Sequence, residues 1–118
     1  MQNPDASRVL ANAKEVARRV YRLTAVMPRH ERFGLTSQIQ RAAVSIPANV
    51  AEGLGRGSQG DLERFLRIAS GSAAELSVLL ELAANIYGLS DPGLHDVLDH
   101  VGRQLNLLTR RVAATRSK

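Results

Sequence analysis

The sequence predicts an all-α fold: an antiparallel up-down four-helix bundle, made by one domain of 118 residues. Three observations predict it. Apolar residues recur at alternating three- and four-residue spacings through four successive segments, the period of an amphipathic helix. The apolar palette is Ala, Leu and Val, with 3% aromatic residues and no Trp, whereas strands favour aromatic and β-branched side chains. Only short connections separate the segments, which makes consecutive helices antiparallel neighbours.

The first helix, over about 6–27, sets Val9, Ala13, Val16, Val20, Leu23 and Met27 on one face, with Arg8, Glu15, Arg19 and Arg22 opposite. Asp5 or Ser7 can cap its start, and Pro28 ends it. The second, about 34–55, carries Leu35, Ile39, Ala42, Ile46, Val50 and Gly53, with Thr36 and Ser37 in its first turn. Pro47 lies inside it and removes one hydrogen bond, to Ala43, which bends a helix. The apolar phase continues past Pro47, so this is one helix kinked at Pro47 rather than two. The third, about 59–88, runs from Leu62, Phe65 and Leu66 to Ala83 and Tyr87; Ser58 and Asp61 are placed as a capping pair, and Gly88 closes it. Ser90-Asp91-Pro92 opens the fourth, about 91–114, which carries Leu94, Leu98, Val101, Leu105, Leu108 and Val112. The closing "ATRSK" is expected to fray.

Several function classes drop out early. With no Cys there is no disulfide, thiolate metal site or cysteine nucleophile. No apolar segment suggests a signal peptide or a membrane span, so a cytoplasmic protein without membrane contact is expected. Residues 55–60, "GRGSQG", match G-x-G-x-x-G, with Glu75 near the position of a ribose-binding acid. That fingerprint needs a buried strand before its glycines, and the preceding "SIPANVAEGL" has helical phase and a proline. The ordinary reading, an interhelical turn, is preferred, and no cofactor is expected. His30, His95 and His100 lie far apart; His95 with Asp99 and Asp96 with His100 are i, i+4 pairs, but no Glu-x-x-His unit of a bundle metal site occurs. Ser45 has no nucleophile elbow around it. The chain is expected not to be an enzyme.

Charge is more informative. The formal net charge is +5, unevenly spread: residues 8–32 hold seven basic residues against two acids, residues 61–100 hold two against seven, and residues 101–118 hold five against none. If the first and last helices are neighbours, Arg110, Arg111, Arg116 and Lys118 run beside Arg8 and Lys14, and Arg18, Arg19 and Arg22 continue the strip. Arginine's planar fork suits phosphate oxygens, so the strip is a candidate RNA- or DNA-binding surface; a merely solubilising surface is the competing account. Scarce aromatics argue against base stacking and for recognition of backbone and shape.

The second helix carries a polar stripe of Gln38, Arg41, Ser45, Asn49, Glu52 and Arg56, and beyond its core stripe Val44, Ala48 and Ala51 extend the apolar or small surface. A helix apolar on more than one side is usually covered by a partner. A homo-oligomer is expected, in which Asn49, Glu52 and Arg41 or Arg56 form a buried network. Val78 and Leu82 also fall off the main face of the third helix. A protein-interaction module with an incidental basic surface is the alternative function.

"RFGLTSQIQRAAVSIPANVAEGLGRGS" followed by "LERFLRIASGSAAELSVLLELA" resembles the four-helix-bundle family of 23S ribosomal RNA intervening-sequence proteins, through Phe33–Ile39, Arg41–Gly53 and Phe65–Ser72. The resemblance implies an up-down bundle assembling as a ring-like pentamer, with no catalytic residues. It also implies likeness to the accessory protein of diversity-generating retroelements, a basic pentamer that binds nucleic acid and a reverse transcriptase. The sequence departs from the family's basic residue near Gly57 and its aromatics near Leu54 and Leu62.

Overall fold

In the computed structural model, which describes residues 3–116, the chain forms α1 (Pro4–Thr24), α2 (Leu35–Arg56), α3 (Gln59–Tyr87) and α4 (Pro92–Arg116), with a 3₁₀ turn at Arg29–Glu31. The expected four helices are all present. Their ends differ in detail, and each difference has a local cause. Asn3 caps α1: its Oδ1 accepts the Ala6 N–H at 3.1 Å, with Pro4 in the first turn, so Asp5 and Ser7 stand inside the helix. α1 stops at Thr24 instead of reaching Met27. The residue before a proline is kept out of the helical region, so Pro28 breaks the chain ahead of itself, and Val26 and Met27 make tighter bonds to the carbonyls of Leu23 and Thr24.

α2 has no cap from Thr36 or Ser37. Glu31 reaches forward instead, its Oε1 accepting the Leu35 N–H at 3.0 Å. A Cβ at Gly34 would stand 2.6 Å from that oxygen, so the glycine makes room for that bond. α2 then runs unbroken through Pro47 to Gly57, which is left-handed at φ 83. Ser58 caps α3 by accepting the Asp61 N–H at 3.1 Å, and Gly88, at φ 67, ends it. Within Ser90-Asp91-Pro92, Asp91 supplies the cap of α4, its Oδ1 accepting the Leu94 N–H at 3.2 Å. α4 stays helical to Arg116, so fraying does not reach "ATR"; Ser117 and Lys118 lie outside the described residues.

Each helix packs on its two neighbours, α1 on α2, α2 on α3, α3 on α4, and α4 back on α1, in a body of 50 × 23 × 18 Å. The apolar stripes read from the sequence meet along the axis: Val9, Val16 and Val20, then Ile39, Ile46 and Val50, then Leu62, Leu66, Leu76 and Leu80, then Leu94 and Leu105 are all fully buried. Two threonines in this core, Thr24 and Thr109, donate their hydroxyls to the carbonyls four residues back, Val20 and Leu105, so neither carries an unmet polar group inside. Gln40 Nε2 donates to Thr24 Oγ1 at 3.0 Å and ties α2 to α1. Gly53 sets the closest approach of α2 to α3: a Cβ there would lie 3.0 Å from Phe65 Cβ and 3.2 Å from Leu62 Cδ1.

Candidate nucleic-acid and partner interfaces

α1 and α4 are joined by Asn12 Nδ2 donating to Gln104 Oε1 at 3.1 Å, and by Arg111 lying 3.4 Å from Asp5. The start of α1 therefore runs beside the end of α4, and arginines continue from that seam along the outer face of α1. Arg8 and Arg111 share Asp5; Arg18, Arg19 and Arg22 share Glu15, at 3.0, 3.0 and 3.6 Å. Five arginines thus divide two carboxylates among them, and the strip keeps a positive excess. The hydrogen bonds from Arg18 and then Arg19 hold the Glu15 carboxyl below its ordinary value of 4.5, so it stays ionised and keeps the three guanidinium groups on one turn of surface. Exposed ion pairs of this kind are weak, and phosphate oxygens can replace the carboxylate on the same forks.

Three residues of the expected strip share neither carboxylate. Lys14 is exposed on α1, about 40° around from Arg18 at about 100° per residue. Arg110 lines a hollow of about 330 Å³ with Arg67, Ser70, Asn106 and Thr109, on the α3 side of α4. Arg116 crosses to α3, where its Nη2 donates to Glu63 Oε1 at 2.8 Å while Arg67 holds the other oxygen, also at 2.8 Å. Those two bonds, Arg67's first, keep the buried Glu63 carboxyl below 4.5.

On α2 the sequence's polar stripe forms two separate pieces. Ser45 and Ser72 hydroxyls bond at 2.7 Å, and Asn49 Nδ2 donates to both the Ser45 carbonyl and its Oγ, tying α2 to α3. Glu52 is exposed and pairs with Arg56 at 2.9 Å along the helix. Arg41 is exposed, with no ion pair among the described residues. Val44, Ala48 and Ala51 are exposed too. Around Phe65, Arg56 and Arg64 place guanidinium carbons 5.2 and 4.5 Å from the ring centre.

Two features go beyond what was read from the sequence. The first is a second stripe on α3, where Ile68 and Ile86 join Leu82 in solvent. With Ser72, Glu75 and Leu79 between them, these residues keep an alternating four-three spacing, so the periodicity that finds a core face could have found this one. The second is at the α1–α2 turn. There Tyr87 OH donates to Glu31 Oε2 at 2.5 Å, His30 Nε2 lies 3.1 Å from the same hydroxyl, and Phe33 stands outside with its side chain in solvent. Among the described residues, no group of three or more His, Asp or Glu could hold a metal, and no helix is long and apolar enough to cross a membrane.

The sequence profile of the 23S rRNA-intervening sequence protein family matches residues 5–110, nearly the whole bundle. The chain belongs to that family. No curated protein matches it significantly. A crystal structure of a protein of unknown function from the S23 ribosomal protein family of Bacteroides thetaiotaomicron superposes with a TM-score of 0.78 at 23% identity, covering 90% of this chain and 98% of that one. At that identity the likeness shows the shared helical fold. Within the intervening-sequence family, then, this member carries its arginine strip on α1 and the adjoining end of α4, away from the motif-bearing α2 and α3.

Proposed function

We propose that this intervening-sequence family protein is a non-enzymatic, cytoplasmic, homo-oligomeric bundle that binds RNA or DNA, or a nucleoprotein, through the phosphate backbone. One observation carries the reading: Arg8, Arg18, Arg19 and Arg22 of α1 and Arg111 of the adjoining end of α4 share, among the described residues, just two carboxylates, Asp5 and Glu15. Repetition of that strip around an assembly multiplies its field and steers polyanions to it. Exposed Val44, Ala48 and Ala51 on α2 supply a surface for contact between copies, and the family resemblance implies five of them. No cofactor enters the reading. The test is fluorescence anisotropy of a labelled duplex at low salt, with Arg18→Glu, Arg19→Glu and Arg22→Glu combined. The native protein binds unrelated sequences with similar affinity, and the triple variant loses at least tenfold; equal affinity for both proteins would remove the strip from the account.

The alternative, a protein-interaction module without a nucleic-acid role, is favoured by the exposed Ile68, Leu82 and Ile86 of α3. It requires a specific protein to stay bound after nuclease treatment.

A further inference from the structure

The turn between α1 and α2 is fixed more firmly than its length suggests. Glu31 is bonded to α2 through the Leu35 N–H and to α3 through Tyr87 OH, and His30 meets the same tyrosine. Tyr87's bond, then Leu35's, keeps the Glu31 carboxyl below 4.5, so the one acid of this turn is ionised and its oxygens face inward. What the turn turns outward is positive and aromatic. Phe33 is 87% exposed, the most exposed large apolar side chain among the described residues, and Arg32 lies over its ring at 5.2 Å. Arg29 and Arg32 form no ion pair among the described residues, whereas most other arginines do. Arg29, Arg32 and Phe33 line a hollow of about 400 Å³ with Pro28, Met27 and Thr36. The Thr36 hydroxyl, behind that hollow, is buried and has no hydrogen-bond partner among the described residues, so a polar capacity goes unmet beside it.

An exposed Phe alone is ordinary. An exposed Phe held on a bolted turn, with two arginines that lack ion pairs, one of them over a face of its ring, and beside a hollow, is a platform for a flat ring that carries an anion. We infer that the 29–36 turn is a single-strand nucleic-acid site, in which an unstacked base lies on Phe33 and the flanking phosphates meet Arg29 and Arg32. Stacking of this kind tolerates any base, and it needs a base face that a duplex hides. The site rests on the nucleic-acid reading above and adds a preference to it: single strands over duplex. Scarcity of aromatics in the composition argued against stacking, but one ring suffices when it is this exposed and the arginines beside it carry no ion pair.

The experiment compares a labelled single-stranded oligonucleotide with a duplex of equal length, at low salt, on the native protein and on Phe33→Ala, with native mass measured for each. The side chain is in solvent, so the variant folds. Expected is a loss of roughly tenfold to a hundredfold for the single strand, the order that base–aromatic stacking supports, with duplex affinity and mass unchanged. A second variant, Phe33→Trp, puts the only tryptophan of the chain on the platform, and its fluorescence should be quenched by the single strand and not by the duplex. Undiminished single-strand affinity in Phe33→Ala, or an unquenched indole in a Phe33→Trp complex that forms, overturns the site while leaving the strip's role standing. A changed native mass in Phe33→Ala makes the ring a contact between copies and overturns the site as well. Binding of neither oligonucleotide by the native protein overturns the phosphate-binding reading, and this site with it.

Discussion

Glu31, Glu63 and Glu15 each hold two or more hydrogen bonds or ion pairs that exist only in the fold, and their carboxyls are held below 4.5 for that reason. A carboxyl depressed by folding adds stability above its unfolded value and surrenders it as pH falls through the folded one. Tyr87 is raised above 10.0, chiefly by its bond to Glu31; its share is present below the unfolded value and is lost as pH rises past the folded one. Thermal melts should therefore show a plateau between these limits, with a fall on the acid side below about pH 4.5. Glu63→Gln should lower the melting temperature at neutral pH and flatten the acid limb; an unchanged limb would mean that the Arg67 and Arg116 clasp adds nothing to stability. At this scale the sequence was partly legible. Ser58 caps α3 as its spacing to Asp61 predicts, but Asn3, Asp5 and Ser7 are all capping types within five residues, and only the backbone at Asn3, extended at φ −148 and ψ 100, selects among them.

Helix faces were legible and helix neighbours less so. Periodicity says which residues of α1 and α4 turn inward, and those residues are buried, except that Leu23 and Met27, at and just past the end of α1, are half-buried. It does not say on which side of α4 its neighbour stands, because that depends on the hand and register of the whole bundle. Arg110 and Arg116 therefore left the expected strip for α3, where Glu63 supplies a carboxylate, while Arg111 stayed with Asp5. Close approach was equally hidden in the sequence and now divides the glycines. Gly102 has nothing within 4 Å of an added Cβ, so Gly102→Ala should stabilise by about 0.5–1 kcal/mol through helix propensity. Gly53→Val adds carbon beyond a Cβ already 3.0 Å from Phe65 Cβ, and should destabilise by about 1–3 kcal/mol. Urea unfolding of both variants checks the contrast, and a neutral Gly53→Val would mean that α2 and α3 have room between them.

For the molecule as a whole, the bundle follows from four periods and short turns, and its membership of the intervening-sequence family agrees with both. The proposed assembly rests on exposed Val44, Ala48 and Ala51, a face that no part of the described chain covers. A carboxylate cannot be buried there without a partner charge, so Ala48→Glu with Ala51→Glu should reduce the native mass to that of one 12.8 kDa chain. A mass that stays multimeric places the contact elsewhere, with the α3 stripe next in line.

The central claim is electrostatic, and the salt dependence of duplex binding tests it most directly. Neutralising phosphates releases counterions, so the logarithm of the binding constant falls with that of salt by about 0.9 per phosphate. Five arginines sharing two carboxylates leave an excess that predicts a slope of about −3 per protomer. In the Arg18, Arg19 and Arg22 charge-reversed variant the slope should approach zero. A flat dependence in the native protein, or the same slope in both, would contradict the account.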